Sequence, residues 1–150
     1  MTQGPTPKFR DLSTEECEAI LARNHVGRIA FAFQDRVDIE PISYAFAKGI
    51  INWRTSEGTK LDVLRRQPSV AFEVDEVEGP FDWRSVVVHG TVYPVEPGGS
   101  EHDQRAWAEA LAALRGAQPG ALGPEDLAPF RATVLQLHVM QITGREARSR

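Results

Sequence analysis

The stretch Asn52–Pro68, N-W-R-T-S-E-G-T-K-L-D-V-L-R-R-Q-P, decides the fold. With Ile50 and Ile51 before it, its first part reads as the end of a β-strand. Its last part reads as a helix with Leu61 and Leu64 on one face, closed by Pro68, because the residue before a proline is pushed out of the α region. Between strand and helix stand Thr55, Ser56, Gly58, Thr59 and Lys60. Hydroxyls, a flexible glycine and a lysine at a helix N-terminus make an anion site, since the first-turn N–H groups and the positive end of the helix dipole converge there. An ordinary helix cap with a Thr/Ser turn accounts for the same residues equally well.

Outward from that corner, the chain alternates strands and turns. Toward the N-terminus, residues 1–11 read as a loose, flexible arm, and Ser13 with Glu16 forms a capping box. The helix it opens carries Cys17, Ile20 and Leu21 on one face. Strands follow at Arg28–Phe33 and Arg36–Phe46, the second interrupted by Pro41, and then Gly49–Thr55. A proline inside a strand belongs at an edge or a bulge, where it leaves backbone groups open to a ligand. Toward the C-terminus, Val70, Phe72 and Val74 alternate with polar residues over Ser69–Val77, the period-two mark of a half-buried strand. Trp83–Val95, with Val86-Val87-Val88 at its centre, fits a strand buried on both faces. Residues 100–131 form a helical insert, with a strong helix at Glu101–Arg115 and a further short one expected from Pro124. The last strand is Thr133–Thr143. About six sequence-adjacent strands against two or three helices, without a repeating βαβ order, give a mainly β (α+β) fold: a single domain built as an antiparallel six-stranded split β-barrel with peripheral helices.

Composition narrows the function. At 150 residues the chain is long enough for its own core. The net charge is −4, with Lys and Arg dispersed, which argues against nucleic acid as a partner. The single cysteine, Cys17, excludes an internal disulfide framework. No run approaches the roughly 20 apolar residues of a membrane helix, and the N-terminus lacks a signal-peptide centre, so no membrane and a cytoplasmic location are expected. His25, His89, His102 and His138 are isolated, and no zinc pattern, nucleophile elbow, Walker loop or dinucleotide glycine fingerprint is present. Glu73 and Asp75 stand two apart on one strand face. A solvated acidic edge explains them better than acid–base chemistry does. Around the organising corner, however, Arg54, Lys60, Arg65 and Arg66 outnumber Glu57 and Asp62, a local excess suited to phosphate.

The order capped helix, G-R-I-A-F, P-I-S-Y-A-F, I-N-W-R-T-S-E-G-T-K-L-D, V-A-F-E-V-D, W-R-S-V-V-V-H-G-T-V and I-T-G-R closely resembles the pyridoxamine 5′-phosphate oxidase-like split-barrel flavoproteins, in particular the small flavin-nucleotide-binding branch that includes nitroimidazole-resistance-type reductases. The resemblance implies a homodimer with FMN in clefts between subunits. It implies that Pro41, Ile42, Ser43 and Tyr44 lie along the flavin, and that Trp53, Arg54, Thr55, Ser56, Thr59 and Lys60 belong to the segment that takes its phosphate. It also implies that Trp83 and Ser85 approach the flavin ring. The activity implied is that of a flavoenzyme oxidising NAD(P)H and reducing a small organic acceptor, with no catalytic side chain and no metal. F420 or haem in the same cleft, or a non-catalytic storage or sensing role, are the alternatives. Two departures weigh against vitamin B6 oxidation: Glu57-Gly58 stand where those oxidases carry an Arg-Lys pair, and Thr133–Arg150 lacks their R-L-H…R segment.

Overall fold

The computed structural model describes residues 6–149. The elements run β1 (Lys8–Asp11), α1 (Thr14–Arg23), β2 (Val26–Phe33), β3 (Arg36–Ala47), β4 (Ile50–Thr55), α2 (Thr59–Arg66), β5 (Ser69–Gly79), β6 (Asp82–Val95), α3 (Glu101–Ala117) and β7 (Thr133–Arg148). All seven strands form one sheet in the order β1-β7-β4-β3-β2-β5-β6, and β6 pairs back onto β7 to close the ring. Every pairing is antiparallel. The split-barrel class expected from sequence is therefore the observed one. The ring has six strands, and the seventh, β1, is appended to it.

β7 explains how the barrel is both closed and split. Along one edge it pairs with β6 from Val134 to Ala147. Along the other it pairs first with β4, over Thr133–His138, and then with β1, over Arg145–Arg148. The arm expected over residues 1–11 is thus tied down from Lys8 onward, a correction to the sequence reading; residues 1–5 lie outside the described residues. The short helix expected from Pro124 does not form, and residues 118–132 make turns instead. No helix among the described residues is long and apolar enough to cross a membrane.

Period-two alternation fills the interior. Ile29, Phe72 and Val88 stand opposite one another on β2, β5 and β6 and are fully buried. The Ser13–Glu16 capping box forms in both directions, at 3.1 and 3.0 Å, and starts α1, whose Cys17, Ile20 and Leu21 face the core as expected. Ser100 and Asp103 cap α3 in the same way. α1 sits where β7 leaves its edge between β4 and β1, and Leu12 N–H donates to the Gly144 carbonyl at 2.9 Å.

Gly144, the glycine of the I-T-G-R run, is required by that approach. A Cβ there would lie 2.6 Å from Cys17 Sγ and 3.1 Å from Leu12 Cβ. Gly144→Ala is therefore expected to destabilise the protein by about 1–3 kcal/mol through overpacking, read as a lowered urea midpoint at unchanged slope.

Candidate functional site

β3 changes partner along its length: over Arg36–Ser43 it pairs with β2 alone, and over Tyr44–Ala47 it pairs with β4. Pro41 falls in this one-sided stretch, which is where a strand tolerates proline. The open edge, the end of β4, the N-terminus of α2 and the end of the insert enclose a cleft of about 350 Å³. Eight of the residues expected at the site line it: Pro41, Ile42, Ser43, Arg54, Thr55, Ser56, Thr59 and Lys60. Glu40, Glu57, Gly58, Phe130 and Arg131 complete the wall.

The donors in this cleft differ in availability. Gly58 is the N-cap of α2, and no side chain caps the helix, so its first-turn N–H groups, which have no acceptor within the helix, open onto the cleft. Gly58 has φ of +157°, close to extended backbone. The cations, by contrast, are already paired. Lys60 Nζ lies 2.7 Å from Glu40 Oε2 in a half-exposed ion pair, of the weak class that another anion can displace.

Arg54 is held far more firmly. Both its terminal nitrogens donate to Asp126, Nη2 to Oδ1 at 3.0 Å, and Nη1 also donates to the Arg131 carbonyl at 3.3 Å. The side chains of Arg54 and Asp126 are only 6% and 2% exposed. Asp126 further accepts the backbone N–H groups of Leu122 and Ala128, each at 2.9 Å. The Arg54 guanidinium, with the Ala128 and Leu122 N–H groups, holds the Asp126 carboxyl well below the usual carboxylate range. Arg54 thus fastens the insert to β4, which residue type and position alone did not reveal.

The remaining expected residues lie elsewhere in the chain. Tyr44 is buried, its hydroxyl donating to the Leu21 carbonyl at 2.8 Å and its ring edge-on to Phe72. Trp53 is fully buried in the barrel wall, and its indole N–H has no hydrogen-bond partner among the described residues. Ser85 donates to Glu73 Oε2 at 3.0 Å. Trp83 packs near Phe9 and lines a separate charged cleft at the β6–β7 end. The acidic face of β5 is largely paired: Arg28 lies 3.4 Å from Glu73 and 3.5 Å from Asp75, and Arg23 holds the Glu76 carboxyl down at about 2. Burial pushes Glu73 upward.

The family model for pyridoxamine 5′-phosphate oxidase matches residues 13–146. The chain belongs to the pyridoxamine 5′-phosphate oxidase family. A relative in Rhizobium meliloti, itself an uncharacterized protein, is 28% identical over 92% of this chain and 95% of its own length. An FAD-binding protein of Mesorhizobium loti has a similar structure, with a TM-score of 0.74 and 26% identity over 93% of this chain and 99% of that one. An FAD-binding protein of Mycobacterium smegmatis gives a TM-score of 0.66 and 27% identity over 91% and 99%.

Within this family member, Glu40, Phe130 and Arg131 are cleft residues that sequence reasoning missed. Phe130 and Arg131 close a segment without a motif, and only the fold brings them to Lys60. The signal available was weak: an aromatic–arginine pair directly before the last strand.

Asp126→Asn should loosen the insert, seen as faster amide exchange over residues 118–132. Because the folded carboxyl titrates lower than the unfolded one, its stabilisation is complete above about pH 4 and declines as pH falls below that. The stability gap between wild type and Asp126→Asn is therefore expected to be constant near neutrality and to shrink on acidification.

Proposed function

We propose that this chain binds a flavin nucleotide, with the flavin 5′-phosphate at the Ser56–Lys60 corner. The observation that carries the reading is the helix N-terminus capped only by Gly58, set beside the Thr55, Ser56 and Thr59 hydroxyls and Lys60 in one cleft. A phosphate monoester needs that donor set, and dianion attraction to Lys60 outcompetes the half-exposed Glu40 carboxylate. FMN is the smallest ligand with the required phosphate. That two similar bacterial structures are of FAD-binding proteins supports a flavin as the ligand.

A bound flavin supplies the redox chemistry, while protein groups bind and orient it. Pro41 and Ser43 on the open edge of β3 offer backbone and side-chain contacts to the ring and ribityl chain. Arg54, held by Asp126, keeps the insert wall in place. Reaction with NAD(P)H and a small organic acceptor requires no side-chain acid or base, which agrees with the absence of a catalytic motif in the sequence.

The same reading includes a homodimer. Val37 and Ile39 are 72% and 66% exposed on β3, opposite Ala32 and Ala30, and the row continues through Ala71 and His89 to Gln141. With exposed Met140 it makes an apolar sheet face around a shallow depression of about 580 Å³. Ile39 shares its side of β3 with Pro41 and Ser43 of the cleft, so a second copy on this face would also wall the flavin.

Purified protein is expected to show the two near-blue absorption bands of a flavin, bleached anaerobically by NADH or NADPH. Lys60→Ala should reduce flavin affinity about tenfold, the size of one charge-assisted contact. A protein that neither carries nor takes up flavin refutes the assignment. Sedimentation should give a dimer that Ile39→Glu converts to monomer; a wild-type monomer contradicts the shared-cleft reading.

A further inference from the structure

We infer that Phe130 and Arg131 form a subsite for the adenosine diphosphate half of a flavin dinucleotide, so that the cleft prefers FAD to FMN. This inference rests on the flavin reading above and extends it along the cleft.

Three observations converge. First, Phe130 is 66% exposed at the rim of the cleft, where a large apolar ring has no role in the core. Second, the segment that carries the ring is held in place. The Arg131 guanidinium carbon lies 5.8 Å from the Phe130 ring centroid, Arg131 N–H donates to the Ala128 carbonyl at 3.0 Å, and the Arg131 carbonyl accepts from Arg54. Through Ala128, the same turn is fixed to Asp126. An exposed aromatic on so braced a segment is preorganised for a flat partner. Third, the charges of the cleft are unequally used. Arg54 is neutralised by Asp126 and Lys60 is paired with Glu40, whereas Arg131 has no carboxylate partner among the described residues. It is therefore the cleft cation open to a further anionic group.

An aromatic face with an adjacent guanidinium is the combination that stacks a nucleobase and takes the phosphate attached to it. The first phosphate of the ligand would meet the α2 corner. The second would meet Arg131, and the adenine would lie on Phe130. FMN lacks the adenine and the second phosphate, so the platform discriminates between the two flavins.

The test measures affinities of the apoprotein for FMN and for FAD by quenching of flavin fluorescence, in wild type, Phe130→Ala, Phe130→Trp and Arg131→Ala. Wild type should bind FAD at least about tenfold more tightly than FMN. Phe130→Ala should lose about tenfold in FAD affinity, the effect of removing one base–aromatic stack, and leave FMN affinity unchanged. Phe130→Trp should retain FAD, and Arg131→Ala should weaken FAD alone. Equal loss for both flavins, or unchanged FAD affinity in Phe130→Ala, overturns the platform while leaving the flavin reading intact. A wild type that binds neither flavin overturns both.

Discussion

The ion pair between Arg54 and Asp126 is the contact on which the cleft depends. It joins the end of β4 to a turn-rich segment that has no helix or strand of its own, and Asp126 organises that segment by accepting two of its backbone N–H groups. A carboxylate this deeply buried requires such a set of donors, because desolvation of an unpaired charge would outweigh the packing gained. The same pair removes the strongest cation from the cleft. What remains for an anionic ligand is the main-chain end of α2, the hydroxyls around it, and two cations held weakly or not at all.

That division of labour links sequence to chemistry. Main-chain donors at a helix terminus are fixed by the fold and need no reorganisation, so they give a phosphate a defined position. Lysine at the same corner adds charge without rigid geometry. The one-sided stretch of β3 beside them leaves backbone edge and side chains facing outward, and its outer side runs from the cleft to an apolar sheet face. On the proposed reading, cofactor binding and assembly draw on one surface.

Much of this was legible in the sequence because it is local. Capping at Ser13, alternation in Ser69–Val77, and the strand–turn–helix order of Asn52–Pro68 each follow from neighbouring residues, and each appears in the fold. The parts that were not legible are contacts between distant segments. Lys8–Asp11 is short, polar and exposed at every position; only pairing with the end of β7 makes it a strand. Arg54 meets Asp126 across 72 residues, so its residue type suggested a phosphate contact where its neighbour makes it a brace. Strand parity also separates residues that are adjacent in sequence. Pro41 and Ser43 face the cleft, while Tyr44 turns inward to Leu21 and Phe72.

The central claim is that a flavin phosphate is held by the backbone at the start of α2. Its most direct test is an amide chemical-shift titration of ¹⁵N-labelled apoprotein with FMN and, separately, with riboflavin, which lacks the phosphate. FMN should produce large shifts at the amides of Gly58, Thr59 and Lys60, and riboflavin should not move them. Identical shifts with the two ligands, or FMN shifts confined to other segments, would contradict the account.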